Sequence, residues 1–484
     1  MEYCKKINDD PNKLHIAIFP WLAQGHLIPF LQVSTFLAQK GHRVSFISTP
    51  KNLRRLPKLI PQSLSHLITF VELPLPRVEG LPDGAESTSE LPIDKVPFLK
   101  RAYDGLQPGL TRFLEESCHV INWVVHDFAS HWLPRVASGL GVKLVFFCIF
   151  NATTMSFTGP PSEAVSGYRS RPEDFTVVPT WWGPDLPNGV AFKLYEITSH
   201  WDCMDLDVPD LQRFGMVVQG SQLVLTRTCP EFEADSLSLL RTLYQKPVLP
   251  IGLLPPSDLI SRVGDGDADE RWGVLKQWLD RNKGNSVVYI ALGTELSLSQ
   301  DMTHELAHGI EKSGLPFVWV VNDRPMVEGK LGSGIIPSGF ETRVSGRGVI
   351  WRGWAPQLGI LAHPSVGGFL THCGWSSVIE GLGFGRALIL FPGGSSDIGL
   401  VARLLHSKGI GLEIPRDDKN GSFSRDSVAE SIRRVMVDKE GEPLREKARA
   451  MREIFGNVEL QNKYLNEFAE FLVRESSSST ESSQ

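Results

Sequence analysis

At 484 residues the chain is too long for one ordinary core, and two domains of α/β size are the expectation. Hydrophobic residues at 42% and charged residues at 21% describe ordinary globular protein. A net charge of −6 excludes the basic footprint of a nucleic-acid or anionic-membrane binder, which leaves a small molecule as the expected partner.

The segment Met1–Lys13 is polar and has neither the apolar stretch of a signal peptide nor the pattern of a transit peptide. No run of about 18 apolar residues appears, so a cytoplasmic protein without a membrane span is expected. Apolar β-type runs then alternate with helical patterns. Leu14–Pro20 predicts a strand, Leu27–Gln39 the helix after it, and Arg43–Ser48, Trp123–Asp127 and Val142–Phe150 further strands. These runs are unbroken rather than alternating, as in parallel strands covered on both faces by helices. Pro74–Pro97 and Gly159–Asp210 read as long Pro-rich loops, the second carrying Trp181, Trp182 and Trp201. Loops of that kind on an α/β scaffold shape binding sites. Pro247–Pro256 and the polar stretch Asp258–Arg271 predict a break, with a helix around Gly273–Arg281 after it. The second half repeats the rhythm. Strands are expected at Ser286–Leu292, Pro316–Val321, Val349–Arg352, Gly367–Thr371, Ala387–Phe391 and Ile410–Ile414, with helices at Met302–Ser313 and Ser376–Gly383. The expected fold class is α/β, as two doubly wound Rossmann-like halves. They are an N-terminal domain over 1–250, a linker over 251–284 and a C-terminal domain over 285–460. A C-terminal helix over 461–474 packs back on the first domain, and 475–484, ESSSSTESSQ, form a disordered tail.

Six cysteines, Cys4, Cys118, Cys148, Cys203, Cys229 and Cys373, are scattered without C-x-x-C spacing, so reduced thiols and no metal site are expected. Asn151-Ala152-Thr153 and Asn420-Gly421-Ser422 match the glycosylation pattern by chance in a chain without a secretory signal.

The stretch Trp354–Ile398 reads WAPQLGILAHPSVGGFLTHCGWSSVIEGLGFGRALILFPGGSSDI. Its own chemistry describes a nucleotide-diphosphate site. A strand ending at His372 turns at Gly374 into a helix opened by Ser376 and Ser377, and helix N-termini bind phosphate through free N–H groups and the dipole. Glu380 lies a turn further on, where a carboxylate can take ribose hydroxyls. Trp354 offers a flat face for a base. Those residues alone fit equally a strand–turn–helix unit with capping serines, which are common. At the other end of the chain, the first strand runs into Trp21-Leu22-Ala23-Gln24-Gly25-His26, and Asp127 closes Val124-Val125-His126-Asp127. A His–Asp pair at a parallel sheet's C-terminal edge would make a general base. By position alone, a capping histidine and an aspartate that never meet fit as well, and His126 and His131 are rivals.

The Trp354–Ile398 stretch resembles the signature box of plant secondary-product UDP-glycosyltransferases, with WAPQ at its start, HCGW in its middle and the acid beyond. The resemblance extends over nearly the whole chain. It implies the GT-B fold: two Rossmann-like domains facing across a cleft, acceptor mainly in the first and donor in the second. It implies Trp354 stacking on uracil and Ala355 and Gln357 at uracil or ribose. His372, Gly374, Ser376 and Ser377 fall at the phosphates, Trp375 among the donor-binding residues, Glu380 at ribose, and Thr294 at a further phosphate contact. It favours His26 as the base and Asp127 as its acid. It also implies inverting transfer from a UDP-sugar, here a co-substrate, with no cofactor and no metal. Two departures stand out. Ser376 replaces the usual Asn, and a hydroxyl still serves phosphate. At the box's end the family's acid–amide pair becomes Asp397-Ile398 with one extra residue before it, or Ser396-Asp397 without a gap; the amide is absent either way. An apolar Ile398 suits a 6-deoxy sugar, so UDP-rhamnose is expected over UDP-glucose. The chain's look resembles the branch that adds sugar to triterpenoid saponin, flavonoid or diterpenoid glycosides. A small lipophilic glycoside is the expected acceptor, a plant specialised metabolite, and a monomer the expected state. An NAD oxidoreductase would need G-x-G-x-x-G after the first strand, and a hydrolase a G-x-S-x-G elbow; both are missing. A silent UDP-sugar-binding protein would be expected to lack the base residues.

Overall fold

The structure, a computed structural model, describes residues 13–54, 56–198, 201, 207–256, 270–293, 296, 298–321, 336–393 and 397–481. Two all-parallel sheets organise the chain. The first has seven strands in the order β3-β2-β1-β4-β5-β6-β7. They are β1 (His15–Phe19), β2 (Arg43–Ser48), β3 (Ile68–Glu72), β4 (Trp123–His126), β5 (Lys143–Cys148), β6 (Leu223–Thr226) and β7 (Val248–Pro250). The second has six in the order β10-β9-β8-β11-β12-β13. They are β8 (Val287–Ala291), β9 (Phe317–Val321), β10 (Gly348–Arg352), β11 (Val366–Thr371), β12 (Ala387–Leu390) and β13 (Gly411–Glu413). Six helices position the residues considered below: α1 (Gln24–Gln39), α2 (Leu194–Thr198), α3 (Gln357–Ala362), α4 (Trp375–Gly383), α5 (Ile398–Ser407) and α6 (Val458–Glu481).

Each strand expected from an unbroken apolar run is present within a few residues of its bounds, because burial on both faces selects such runs. The sheets hold three strands that did not stand out in the sequence. β3 (Ile68–Glu72) is a half-exposed edge with polar alternation, and β6 and β7 are short. The Pro247–Pro256 stretch, expected as the start of a linker, instead supplies β7. Its Val248 and Leu249 pair with Val224 and Leu225, and Ile251 and Leu254 are buried. Proline is tolerated there because β7 is an edge strand.

The chain divides into two compact units, one from residues within 1–170, 202–254 and 459–484, the other from residues within 171–201 and 255–458. The first domain therefore does not take residues 171–201, which belong with the second unit. The expected tail is also corrected: α6 continues to Glu481. In the first unit, α6 buries Leu465, Phe468, Ala469 and Leu472 in the core that holds Ile16, Phe30, Trp123 and Leu225. The Trp123 indole N–H donates to the Leu472 carbonyl at 3.2 Å, and the Gln461 carboxamide oxygen accepts the Leu253 N–H at 2.6 Å. Phe468 is fully buried, so Phe468→Ala should cost about 3–5 kcal/mol in urea unfolding through lost burial and the cavity left. Glu470→Ala, on the exposed face of the same helix, should change stability by less than about 0.5 kcal/mol.

Candidate active site

In each sheet the chain lays strands outward in one direction and then returns to the other side of the first strand. That reversal falls between β1 and β4 in the first unit and between β8 and β11 in the second. Loops leaving adjacent strands there diverge and open a crevice at the C-terminal edge.

In the first unit this brings together His26 and Asp127, a hundred and one residues apart. Phe19 of β1 lies in register with His126 of β4, so the next residues of both strands emerge side by side. The Asp127 carboxylate accepts Nδ1–H of His26 at 2.7 Å and the Trp21 backbone N–H at 3.0 Å on Oδ2. Its Oδ1 accepts the Phe128 N–H at 2.8 Å. Three donors lock its orientation, and its side chain is 2% exposed against 13% for His26. With Nδ1–H committed to Asp127, the neutral imidazole presents its Nε2 lone pair, a tautomer assigned from the hydrogen-bond pattern. The Phe128 ring, with its centroid 5.9 Å from that of His26, gives the imidazole an apolar flank that sequence reasoning missed.

The rival histidines are engaged elsewhere. His126 has no exposed surface and holds Ser130 Oγ at 2.9 Å through Nδ1 and Ser221 Oγ at 3.0 Å through Nε2. His131 accepts from the Arg213 guanidinium at 3.0 Å on Nδ1, and that guanidinium also grips Asp104 at 2.6 and 2.7 Å.

In the second unit the C-terminal edge gathers most of the Trp354–Ile398 residues. Trp354 follows β10 and is 85% exposed, its carbonyl held by the Trp351 indole N–H at 2.8 Å. An indole so displayed has an open face for a planar ring. Ala355 is buried beside it. Gln357 opens α3, and its carboxamide N–H donates to Glu380 of α4 at 2.7 Å, with Ser377 Oγ at 3.5 Å. Tyr289 of β8 donates to its carbonyl oxygen at 3.2 Å, a support the sequence did not reveal.

His372 directly follows β11, with Gly293 and Gly374 against its ring. A Cβ on Gly293 would come within 2.6 Å of the imidazole Nε2, and one on Gly374 within 2.5 Å, so only glycine fits either place. Cys373 between them takes φ +73°, a strained backbone for a side-chain residue of the kind found at functional turns. His372 Nδ1 is enclosed and has no hydrogen-bond partner among the described residues, and burial pushes the His372 pKa down to about 4. The residue as a whole is half-buried. Beyond it α4 starts at Trp375 with no side-chain cap from Gly374, and the first N–H groups of a helix have no partner within the helix itself. Ser376 and Ser377 lie on that turn, half-buried. The Trp375 ring is instead buried against Phe455, with centroids 6.0 Å apart.

Asp397 is buried and precedes α5, and half-buried Ile398 is that helix's first residue. Thr294 and Ser396 lie outside the described residues, as do Cys4 and Cys203. Cys118, Cys148, Cys229 and Cys373 are free thiols. Among the described residues, no group of three or more His, Cys, Asp or Glu could hold a metal ion, and no helix is long and apolar enough to cross a membrane.

Residues 223–439 match the family model described as UDP-glucoronosyl and UDP-glucosyl transferase. The chain is 49% identical to UDP-glycosyltransferase 91C1 of Arabidopsis thaliana, over 96% of this chain and 98% of that relative. It is 42% identical to soyasaponin III rhamnosyltransferase of Glycine max, over 96% of each. In fold it is similar to Glycyrrhiza uralensis UGT73P12 complexed with glycyrrhetinic acid 3-O-monoglucuronide. The TM-score is 0.79, with 23% identity over 97% of this chain and 98% of that one.

The His126 environment makes a pH prediction. Burial pushes its pKa down to about 4 from an unfolded 6.5. The unfolded chain therefore takes up the proton first, and the stability this group contributes is present above about pH 6.5 and lost as pH falls toward 4. Imidazole nitrogen NMR should show His126 neutral at pH 5.5; a titration midpoint above 6 there would contradict its placement.

Proposed function

This chain belongs to the family of plant UDP-glycosyltransferases of specialised metabolism, with the GT-B fold, and we propose that His26 and Asp127 are its base and the base's orienting acid in inverting sugar transfer. The observation that carries this is the 2.7 Å bond from His26 Nδ1 to a carboxylate already fixed by two backbone N–H groups. It leaves Nε2 to accept the proton of an acceptor hydroxyl, while Asp127 stabilises the imidazolium that forms. The freed oxygen forms a bond to the anomeric carbon from the face opposite UDP. The bond from that carbon to the phosphate oxygen breaks, and its electron pair leaves with UDP.

In this reading the α4 N-terminus and His372 receive the pyrophosphate, and the negative charge that grows on it meets N–H groups already in position. Ser376 and Ser377 add hydroxyls. Trp354 stacks on uracil, and the Gln357–Glu380 pair meets ribose and the base, both already hydrogen-bonded to each other. Ala355 and the backbone around Gly374 complete the contacts, with Thr294 as a further phosphate ligand. No step requires a cofactor or metal, and the enzyme acts as a monomer in the cytoplasm.

For the donor we propose UDP-rhamnose. Asp397 takes ring hydroxyls, and Ile398 stands where an amide would otherwise reach the far side of the sugar. An apolar neighbour suits the C5 methyl of a 6-deoxy sugar, and would leave a hydroxyl of glucose unpaired at about 1–3 kcal/mol if the site is dry. The similarity to a soyasaponin III rhamnosyltransferase supports the same donor and a triterpenoid saponin or flavonoid glycoside as acceptor.

His26→Ala should lower kcat by roughly 10²–10⁴ while calorimetry with UDP alone shows unchanged affinity. Retention of more than a tenth of the activity would remove His26 as the base, and no activity in the wild type would favour a silent UDP-sugar-binding protein. With equimolar UDP-rhamnose and UDP-glucose over a saponin and flavonoid glycoside panel, mass spectrometry should find deoxyhexose added in excess. Ile398→Gln should shift products toward hexose by about 5- to 150-fold if the position reads the sugar.

A further inference from the structure

The sugar-reading residues sit at the head of α5, and the segment that braces them comes from far earlier in the chain. We propose that Tyr195 and Glu196 of α2 are positioning residues that set donor-sugar discrimination through Asp397 and Ile398; this rests on the reading of those two residues as the sugar end of the donor site.

Glu196 approaches the first turn of α5 so closely that a Cβ on Gly399 would collide with its carboxylate. A carboxylate is stable there because it meets the positive end of the helix. The same carboxylate pairs with the Arg403 guanidinium one turn further along α5 and accepts the Lys193 backbone N–H at 2.9 Å. Its side chain is 1% exposed and that of Arg403 9%, so the pair is desolvated. The Arg403 guanidinium also reaches Glu413 of β13 at 3.2 Å, and Arg403 Nε donates to the Ala191 carbonyl at 3.3 Å. Breaking one member of such a cluster leaves a buried charge uncompensated, so the arrangement holds as a unit.

Tyr195 braces the other end of the same connection. The Arg416 guanidinium lies 4.7 Å from its ring centroid and 4.7 Å from that of Phe391, which directly follows β12. Arg416 also donates to the Pro392 carbonyl and, at 2.7 Å, to the Gly421 carbonyl. Two consecutive residues of α2 thus fix the chain where it leaves β12 and where it enters α5. Asp397 and Ile398 lie between these anchors, and their placement against a sugar depends on both. Neither Tyr195 nor Glu196 needs to touch the donor.

The test compares kcat/KM for UDP-rhamnose and UDP-glucose in the wild type, Glu196→Gln and Gly399→Ala, with UDP affinity measured by calorimetry. Glu305→Gln, at an exposed ion pair with Arg425 in the same unit, is the control. The preference between the two sugars should shrink by about 2- to 30-fold in both variants. UDP affinity should not change, and the control should match the wild type. A fall by the same factor for both sugars, or an unmoved ratio in an active enzyme, overturns this inference alone. If Glu196→Gln does not fold, Gly399→Ala decides by the same ratio, because it displaces the carboxylate without removing its charge. A wild type that turns over neither sugar overturns the transfer reading and this inference with it.

Discussion

Parallel pairing sends every strand of a sheet to the same edge, and the rest of this molecule's organisation depends on that constraint. Because β1 and β4 are neighbours in register, residues that follow them must emerge together, whatever their separation in sequence. The same holds for β8 and β11, where Thr371 pairs with Ala291 and brings Gly293 beside His372. A reversal of strand order at each of these pairs makes the crevice. No special local sequence is needed for the meeting of His26 and Asp127 beyond two apolar strands of matched length.

Within that edge, hydrogen-bond partners rather than residue type set the three histidines apart. His26 lies in the first turn of α1, His126 ends β4 and His131 lies on the loop after it. His126 is bonded at both nitrogens and fully buried, and His131 accepts from an arginine held by Asp104. Only His26 of the three is hydrogen-bonded to a carboxylate through Nδ1; the Asp104 carboxylate lies 3.6 Å from His131 Nδ1, which the Arg213 guanidinium reaches at 3.0 Å. His372 solves a different problem. Flanking glycines and the strained Cys373 backbone press its ring against the sheet edge, where burial keeps it neutral. A neutral imidazole can donate one N–H to an anion without carrying a charge of its own.

Residues 171–201 show how chain order and spatial order part company. Their sequence neighbours build the first unit, yet Glu196, Tyr195 and Lys193 make buried ion pairs and cation–π contacts with Arg403, Glu413 and Arg416. Charge pairs of this sort form between residues two hundred positions apart, and local composition carries no trace of them. Trp181, Trp182 and Trp201 therefore travel with the second unit rather than with the loops around His26.

The amino-acid sequence by itself determined the α/β class, most strands and the order of the proposed donor-side residues. Unbroken apolar runs can be satisfied only by burial on both faces, and Trp354–Ile398 is contiguous, so its glycines, serines and acid keep their order in space. It could name His26 and Asp127 as candidates, but not join them, since their contact spans a hundred and one residues. Only the tertiary structure set the surroundings of His26, His126 and His131 apart, because partners and burial are properties of packing. Tertiary packing also made Val248–Pro250 a strand, since edge pairing with β6 supplies what three residues cannot encode. The C-terminal helix also continues past the serines to Glu481, where polar composition had pointed to disorder. And tertiary packing gave residues 171–201 to the second unit, for the physical reason that long-range ion pairs leave no periodicity to read.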